Sequence, residues 1–251
     1  MGNFIEYSKY YDILNEEKDY KKEADYILSL VSNHFKIKSP ESLLEIGCGT
    51  GKHLDHLKTN FSQIDAFDRS EEMINIAKQN NNDINYFCAD INDFQSEKKY
   101  DVIISLFHVL SYQTDNQSVS RMFEIVKNNL ADGGLFIFDC WYGPAVLSIK
   151  PENRSRKIIK DDFELIRIAA PELLYDKNVV NVNYDVIVLP KKNQEVIRFN
   201  ELHKMRYFFN PELQQFCYTN NLELSFFYNW LTFNNPSQND WSICFGGTKK
   251  Q

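Results

Sequence analysis

Leu43-Leu44-Glu45-Ile46-Gly47-Cys48-Gly49-Thr50-Gly51-Lys52-His53-Leu54 is a short apolar run that stops at a glycine-spaced turn. Helix-like spacing follows at once, marked by Leu54 and Leu57. A strand that ends in unhindered backbone amides and feeds a helix lets a nucleoside cofactor approach the main chain closely. The spacing alone, Gly-x-Gly-x-Gly, is a weak signal, so its meaning depends on the segments around it.

Downstream, residues 64–68 read as a second strand. Ser70 follows as an N-cap, with Glu71 and Glu72 in the first turn of a helix and Met73, Ile74 and Ala77 on its buried face. Residues 84–90 read as a third strand, and 100–107, apolar on both faces, as a buried fourth. Val119, Phe123, Val126 and Leu130 keep helical spacing. Asp132-Gly133-Gly134 then turns into a fifth strand over 135–140. Strands alternating with helices predict an open, mostly parallel sheet covered on both faces. Upstream, Tyr7, Tyr10, Tyr11 and Tyr20 form an aromatic cluster. Tyr20, Ala24, Ile27 and Val31 mark a helix that ends before Pro40.

From residue 157 to 209 the alternation lapses. Strand-like segments at 163–168, 179–189, 195–199 and 203–209 follow one another, with Lys191-Lys192-Asn193-Gln194 as a hairpin turn. The chain therefore reads as α/β: a Rossmann-like, seven-stranded, mostly parallel sheet carrying a small inserted antiparallel sheet. Residues 1–150 and 210–251 form the cofactor-binding domain and 151–209 the insertion. A helix over 211–220 and strands at 222–230 and 241–248 close the chain.

The chain has 251 residues, is 43% hydrophobic, and carries a formal charge of −7, which speaks against general nucleic-acid binding. No apolar run reaches membrane-spanning length and residues 1–20 lack a signal-peptide core. The cysteines at 48, 88, 140, 217 and 244 are odd in number and nowhere paired as Cys-x-x-Cys. They read as reduced core residues and place the protein in the cytoplasm. No clustered metal ligands, serine-nucleophile elbow or Walker sequence is present. Most aromatic residues, Phe107, Phe123, Phe136 and Phe138 among them, fall on core positions of strands or helices.

Three acidic residues stand at the rim that the glycine turn defines. Asp68 ends the second strand 17 residues after Gly51, placed either to accept bonds from ribose hydroxyls or to cap the next helix. Asp90 ends the third strand beside Ile91, placed to take an adenine amino group along an apolar face, or to close a turn. Glu45 lies just inside the first strand, where it either orients the loop or meets a ligand's amino group.

Taken together, Glu45-x-Gly47-x-Gly49-x-Gly51, Asp68, Asp90-Ile91 and Asp132-Gly133-Gly134 resemble the class I S-adenosylmethionine-dependent methyltransferases. The two late strands are similar to that family's closing hairpin. A narrower likeness joins Tyr10-Tyr11-Asp12-x-Leu14, Lys18-Asp19-Tyr20, the run from Gly49 to Leu54, and Trp141-Tyr142 to the nucleotide-linked amino-sugar N-methyltransferases. The resemblance implies S-adenosyl-L-methionine as cofactor and a sugar nucleotide as acceptor, with neither nucleic acid nor membrane as partner. It also implies a homodimer through the inserted sheet. Its cofactor positions are Tyr11, Tyr20, Glu45, Gly47, Cys48, Gly49 and Gly51, then Asp68, Arg69, Met73, Asp90, Ile91, Leu106 and Phe107. Trp141 and Tyr142 would meet the acceptor. Several such enzymes have a histidine after the fourth strand where this chain has Tyr112, with His108 nearby but out of register.

His108, Tyr112 and His203 are the candidates for proton transfer. Alternation along 202–207 puts His203, Met205 and Tyr207 on one face and Leu202, Lys204 and Arg206 on the other. His203 is thus the expected acceptor-side residue and Arg206 a surface or pyrophosphate contact. His53 and His56 read as packing or surface positions. Two rivals stand beside this reading: an NAD-dependent oxidoreductase of Rossmann type, which uses the same turn and acid, and a non-catalytic cofactor-binding homologue.

Overall fold

In the computed structural model, which describes residues 4–35, 39–192 and 195–250, the glycine turn stands at the carboxyl end of β1 (Ser42–Ile46). β1 runs parallel to β2 (Gln63–Asp68) on one side and to β4 (Tyr100–Ser105) on the other. β3 (Asn85–Cys88) flanks β2, and β5 (Leu130–Tyr142) flanks β4. Beyond β5 lies β11 (Ser242–Lys249), antiparallel to it and paired with β10 (Leu222–Asn229). The order β3-β2-β1-β4-β5-β11-β10 reverses direction at β1, and such a switch point leaves a crevice at the strand carboxyl ends.

Period-two alternation divides two apolar layers. Leu43, Val102, Ile104, Leu135 and Ile137 pack on one face with α2 (Tyr20–His34), while Leu44, Ile46, Ile103, Phe136 and Phe138 pack on the other with α5 (Asn116–Asn129). Asp19 caps α2 through Lys22 N–H at 2.9 Å. Ser70 caps α4 (Glu71–Asn80) by accepting from Met73 N–H, as the sequence predicts. The helix after the glycine turn is a single turn, α3 (Leu54–Leu57).

Tyr7, Tyr10 and Tyr11 of the aromatic cluster lie on a helix that periodicity did not reveal, α1 (Phe4–Leu14), while Tyr20 opens α2. Its Tyr7 and Leu14 pack with Leu165, Val186 and Val188 of the antiparallel strands. Those strands are β6 (Arg154–Ile159), β7 (Phe163–Leu174), β8 (Val179–Pro190) and β9 (Ile197–Phe208). The two late segments expected as separate strands are one, β9, and β6 had not been expected. α6 (Gly143–Ile149), also unexpected, leads into β6. Asn193 and Gln194 of the expected hairpin lie outside the described residues. The antiparallel ladder joins the main sheet: β9 pairs in parallel with β5 at Trp141↔Tyr207 and Tyr142↔Phe208, past the last residue of β4.

β5 begins five residues earlier than the turn at Asp132-Gly133-Gly134 suggests, because Leu130 already pairs with Tyr100 and the turn is absorbed as an irregularity. Cys88 departs from the core reading, being exposed on edge strand β3, while the other four cysteines are buried. α7 (Asn210–Thr219) returns the chain to the hairpin.

Candidate functional site

A cavity of about 390 Å³ opens where the carboxyl ends of β1, β2 and β4 meet α1 and the inner face of β7–β9. Its floor is the glycine turn. Gly47 adopts φ +74 and donates its N–H to Phe67 O at 2.8 Å. A Cβ there would sit 2.6 Å from the Val109 side chain, so both conformation and space demand glycine. Gly49, at φ +53, has only Tyr11 within 4 Å of a would-be Cβ. It leaves an uncluttered main-chain surface facing the cavity.

Asp68 fixes this floor. Its Oδ2 accepts from Gly49 N–H and its Oδ1 from Ser70 N–H, each at 2.9 Å. Burial raises its pKa, and those amides, with Arg69 nearby, oppose the rise. Arg69 and Met73 line the wall beside it, and Asp90 and Ile91 extend the same rim. Asp90 Oδ1 accepts from both nitrogens of Asn92, at 2.9 and 2.8 Å. Cys48, Leu106 and Phe107 complete this side. Phe107 is not the core residue that strand spacing suggested. It follows β4 at φ +64, half-buried, with its ring in the cavity.

Tyr11 and Tyr20 cover the floor from the N-terminal helices. The Lys18 ammonium lies 4.4 Å from the Phe107 ring centroid and 5.1 Å from that of Tyr20, so this aromatic pair already faces a cation. Lys18 is paired with Glu23, whose Oε2 lies 2.8 Å from His53 Nε2. His53 Nδ1 is 3.5 Å from Glu45 Oε1. Burial lowers the His53 pKa, but hydrogen bonds from Glu23 and Glu45 outweigh it and hold the ring above its ordinary range. His53, read from sequence as packing, thus lines the cavity. Glu45 itself lies behind the lining, with Oε2 buried and unbonded.

The opposite wall comes from the antiparallel strands. The Tyr112 hydroxyl is 2.7 Å from His203 Nδ1. Burial pushes His203 down to about 4, with Arg167 and Arg69 adding to the effect, and burial raises Tyr112. Both groups are therefore neutral near pH 7. Tyr184 and Tyr7 pack on the His203 ring at 4.8 and 5.0 Å between centroids. His108 and Trp141 also line the cavity.

Three other expected site residues lie elsewhere. Gly51 supports the turn from beneath, its N–H bonded to Cys48 O at 3.0 Å. Tyr142 packs edge-on against Phe227 at 5.7 Å. Arg206, on the face away from His203, binds Asn116 Oδ1 at 2.7 Å and pairs with Glu212. Sequence reading missed Tyr7, Arg167 and Tyr184, which reach the cavity only through strand pairing and the docking of α1, while Met205 lines it on the face that alternation shares with His203. Asp139, behind His108, carried one faint signal: it is an acid at the carboxyl end of a central strand.

Residues 43–134, which contain the floor and its acids, match the family model described as "Methyltransferase domain". The matched stretch, little more than a third of the chain, runs from β1 into β5. The chain is 28% identical over 144 residues to the dTDP-3-amino-3,4,6-trideoxy-alpha-D-glucopyranose N,N-dimethyltransferase of Streptomyces venezuelae, covering 56% of this chain and 59% of that one. It is 40% identical over 89 residues to the malonyl-[acyl-carrier protein] O-methyltransferase of Bacillus anthracis, covering 34% and 33%. The aligned stretch thus spans little more than half the length of the first and a third of the second. An S-adenosylmethionine-dependent methyltransferase from Clostridium acetobutylicum superposes with a TM-score of 0.83 over 99% of both chains at 20% identity. The likeness of folds therefore extends through β6–β9, outside the methyltransferase domain proper.

Proposed function

We propose that the protein is an S-adenosylmethionine-dependent methyltransferase acting on a small molecule, the amine or hydroxyl of a nucleotide-linked or glycosidic sugar. One observation carries this reading: a single cavity joins the glycine floor and its rim acids to an aromatic wall built from α1 and the antiparallel strands. The residues present fit the cofactor. Gly47 and Gly49 offer main chain, Asp68 and Asp90 offer acceptors for hydroxyl and amino groups, and Tyr11, Tyr20 and Phe107 offer π-faces to a cation. S-adenosylmethionine supplies a methyl group already activated as a sulfonium. What remains for the chain is to hold the acceptor in line, exclude water and accept one proton.

Trp141, Tyr112 and His203 face the acceptor side of the cavity, and we assign the acceptor to them. His203→Ala should then leave S-adenosylhomocysteine affinity intact while lowering acceptor turnover. The sugar amine is favoured by the relative from Streptomyces venezuelae. The relative from Bacillus anthracis suggests a carboxyl acceptor instead, but a carboxylate is already anionic at neutral pH and gives the histidine-rich wall nothing to do. Mass spectrometry of methylated products from a pool of sugar nucleotides separates the two. Thermal shift tests the cofactor: stabilisation by NAD(H) and none by S-adenosylhomocysteine would replace this reading with the oxidoreductase.

We assign residues 151–209 to the acceptor subdomain and residues 1–150 and 210–251 to the cofactor domain. We further assign a homodimer through β6–β9, which light scattering tests directly. No helix among the described residues is long and apolar enough to cross a membrane. We assign the protein to the cytoplasm, a reading that its five free cysteines support.

A further inference from the structure

Two histidines face the acceptor side, and their surroundings differ. His203 has Arg167 and Arg69 near it and sits at about 4. It therefore resists taking a proton. His108 is backed by a carboxylate. Its ring Nδ1 lies 2.7 Å from Asp139 Oδ2, off the axis of a straight hydrogen bond, and its own main-chain N–H donates to Asp139 Oδ1 at 3.0 Å. One carboxylate thus grips both the ring and the backbone of a single residue.

That backbone is unusual. Phe107 and His108 are consecutive non-glycine residues at φ +64 and +63, a conformation that costs energy and persists only when neighbours enforce it. The His108 ring lies against β5, its centroid 6.4 Å from that of Trp141. Asp139 is 1% exposed. Burial alone would raise its pKa, yet the charge and hydrogen bonds of His108, with a smaller share from Lys18, hold it below the ordinary carboxylate range.

His108 also stands between two cavities. Besides the large one it lines a second of about 360 Å³, where Lys18, Glu23, Asp139, Arg156 and Arg167 supply the charged groups. With Nδ1 turned to Asp139, Nε2 is the ring nitrogen directed away from the carboxylate.

Resting on the methyltransferase reading above, we infer that His108 is the base that takes the acceptor's proton, and that Asp139 is the residue that positions it. Nε2 forms a bond to the proton as the acceptor's O–H or N–H bond breaks. The electron pair stays on the acceptor oxygen or nitrogen. The Asp139 carboxylate balances the imidazolium until its proton passes to water. Tyr112 and His203 then serve as a neutral hydrogen-bonding pair that shapes the acceptor wall.

Histidine labelled with ¹⁵N, in protein without ligand, tests the geometry independently of turnover. The resonances lost in His108→Gln identify the ring. Near neutral pH its uncharged form should carry the proton on Nδ1, and Asp139→Asn should redistribute it. An uncharged ring protonated on Nε2 cannot accept there and overturns the proposal. For turnover the acceptor probe is dTDP-3-amino-3,6-dideoxy-α-D-glucopyranose. His108→Gln should lower kcat 10²- to 10⁴-fold, and Asp139→Asn at least tenfold, with the deficit shrinking as pH rises and free acceptor deprotonates. Calorimetry with S-adenosylhomocysteine should show unchanged affinity in both variants. Turnover within threefold of wild type in His108→Gln, or loss of cofactor affinity in either variant, overturns the assignment. If wild type ignores this probe while binding S-adenosylhomocysteine, the amino-sugar reading fails and the tautomer measurement still decides the base.

Discussion

The two halves of the cavity are built by opposite means. The half we assign to the cofactor is main chain: glycine φ angles, strand-end amides and a carboxylate, Asp68, that holds two of those amides. The half we assign to the acceptor is side chain: Arg167, Tyr184 and His203 project from twelve-residue strands, β7 to β9, that pair with one another and meet α1 and β5 from far along the chain. A backbone site tolerates almost no change in shape but is indifferent to most neighbouring side chains. A side-chain site can change specificity one residue at a time while the ladder beneath it stays fixed. The difference teaches that cofactor choice is set locally in this fold and acceptor choice is set by tertiary assembly.

The sharpest way to break this contrast is at Gly47. A methyl group there meets Val109 at 2.6 Å and fixes an unfavourable φ. Gly47→Ala should cost roughly 3–4 kcal/mol of stability from strain and overpacking together, read by denaturant titration, and should abolish S-adenosylhomocysteine binding. An alanine variant of wild-type stability would show that the floor is not constrained by its backbone.

The acceptor half has its own signature in pH. An unfolded histidine takes a proton near 6.5, whereas folded His203 waits until about 4. As pH falls across that window the unfolded state binds more protons, so folding stability should drop by about 3 kcal/mol. His203→Gln should remove that part of the slope, and urea titrations at pH 6.5 and 4 measure it. An unchanged slope would mean that His203 is hydrated and exchanging protons freely.

Smaller effects sharpen the boundary between the halves. Asp68→Asn should weaken S-adenosylhomocysteine binding by about 2 kcal/mol, since charge-assisted bonds become neutral ones, while leaving acceptor KM unaltered. A changed KM would mean that the halves are coupled through Arg69. Ser70→Ala, which removes the cap of α4, should cost about 1 kcal/mol of stability by thermal melting and leave the pH slope from His203 untouched.

The same contrast explains what could be read in the sequence. Leu43–Gly51, Asp68 and Asp90 announce themselves because short strands, turns and caps are coded within a few residues of where they act. The mostly parallel character of the main sheet follows from that rhythm; its strand order does not. Tyr184 and Arg167 could not be found this way, since each is one more alternating residue on its strand until pairing and α1 decide what faces the cavity. α1 itself was hidden because its aromatics pack on two surfaces at once, Tyr7 against the antiparallel strands and Tyr11 over the floor, so no single apolar stripe marks it. The alternation of β9 was legible, and it separates buried His203 from Arg206 as the structure does. Arg206 is buried nonetheless, through Asn116 and Glu212, which no local pattern indicates. His108 and Asp139 meet only because two consecutive residues take a left-handed turn that sequence gave no reason to expect.

The parallel pairing of β9 with β5 bears on how ligands come and go. Because Trp141 and Tyr142 are stitched to Tyr207 and Phe208, the acceptor wall has no hinge of its own and shares the stiffness of the central sheet. The cavity's other boundary is the N-terminal segment. That segment is held by the apolar packing of Tyr7 and Leu14 on the antiparallel strands and by polar ties: Asp12 to Thr50 at 2.7 Å, Asp12 to Lys52 at 3.4 Å, and Arg156 to Leu14 O at 2.9 Å. Amide exchange should be fastest along α1 and slowest along β5, and a bound nucleoside should slow the former alone. The portion of the chain that looks like an accessory would then be the fixed frame, and the first helix the door.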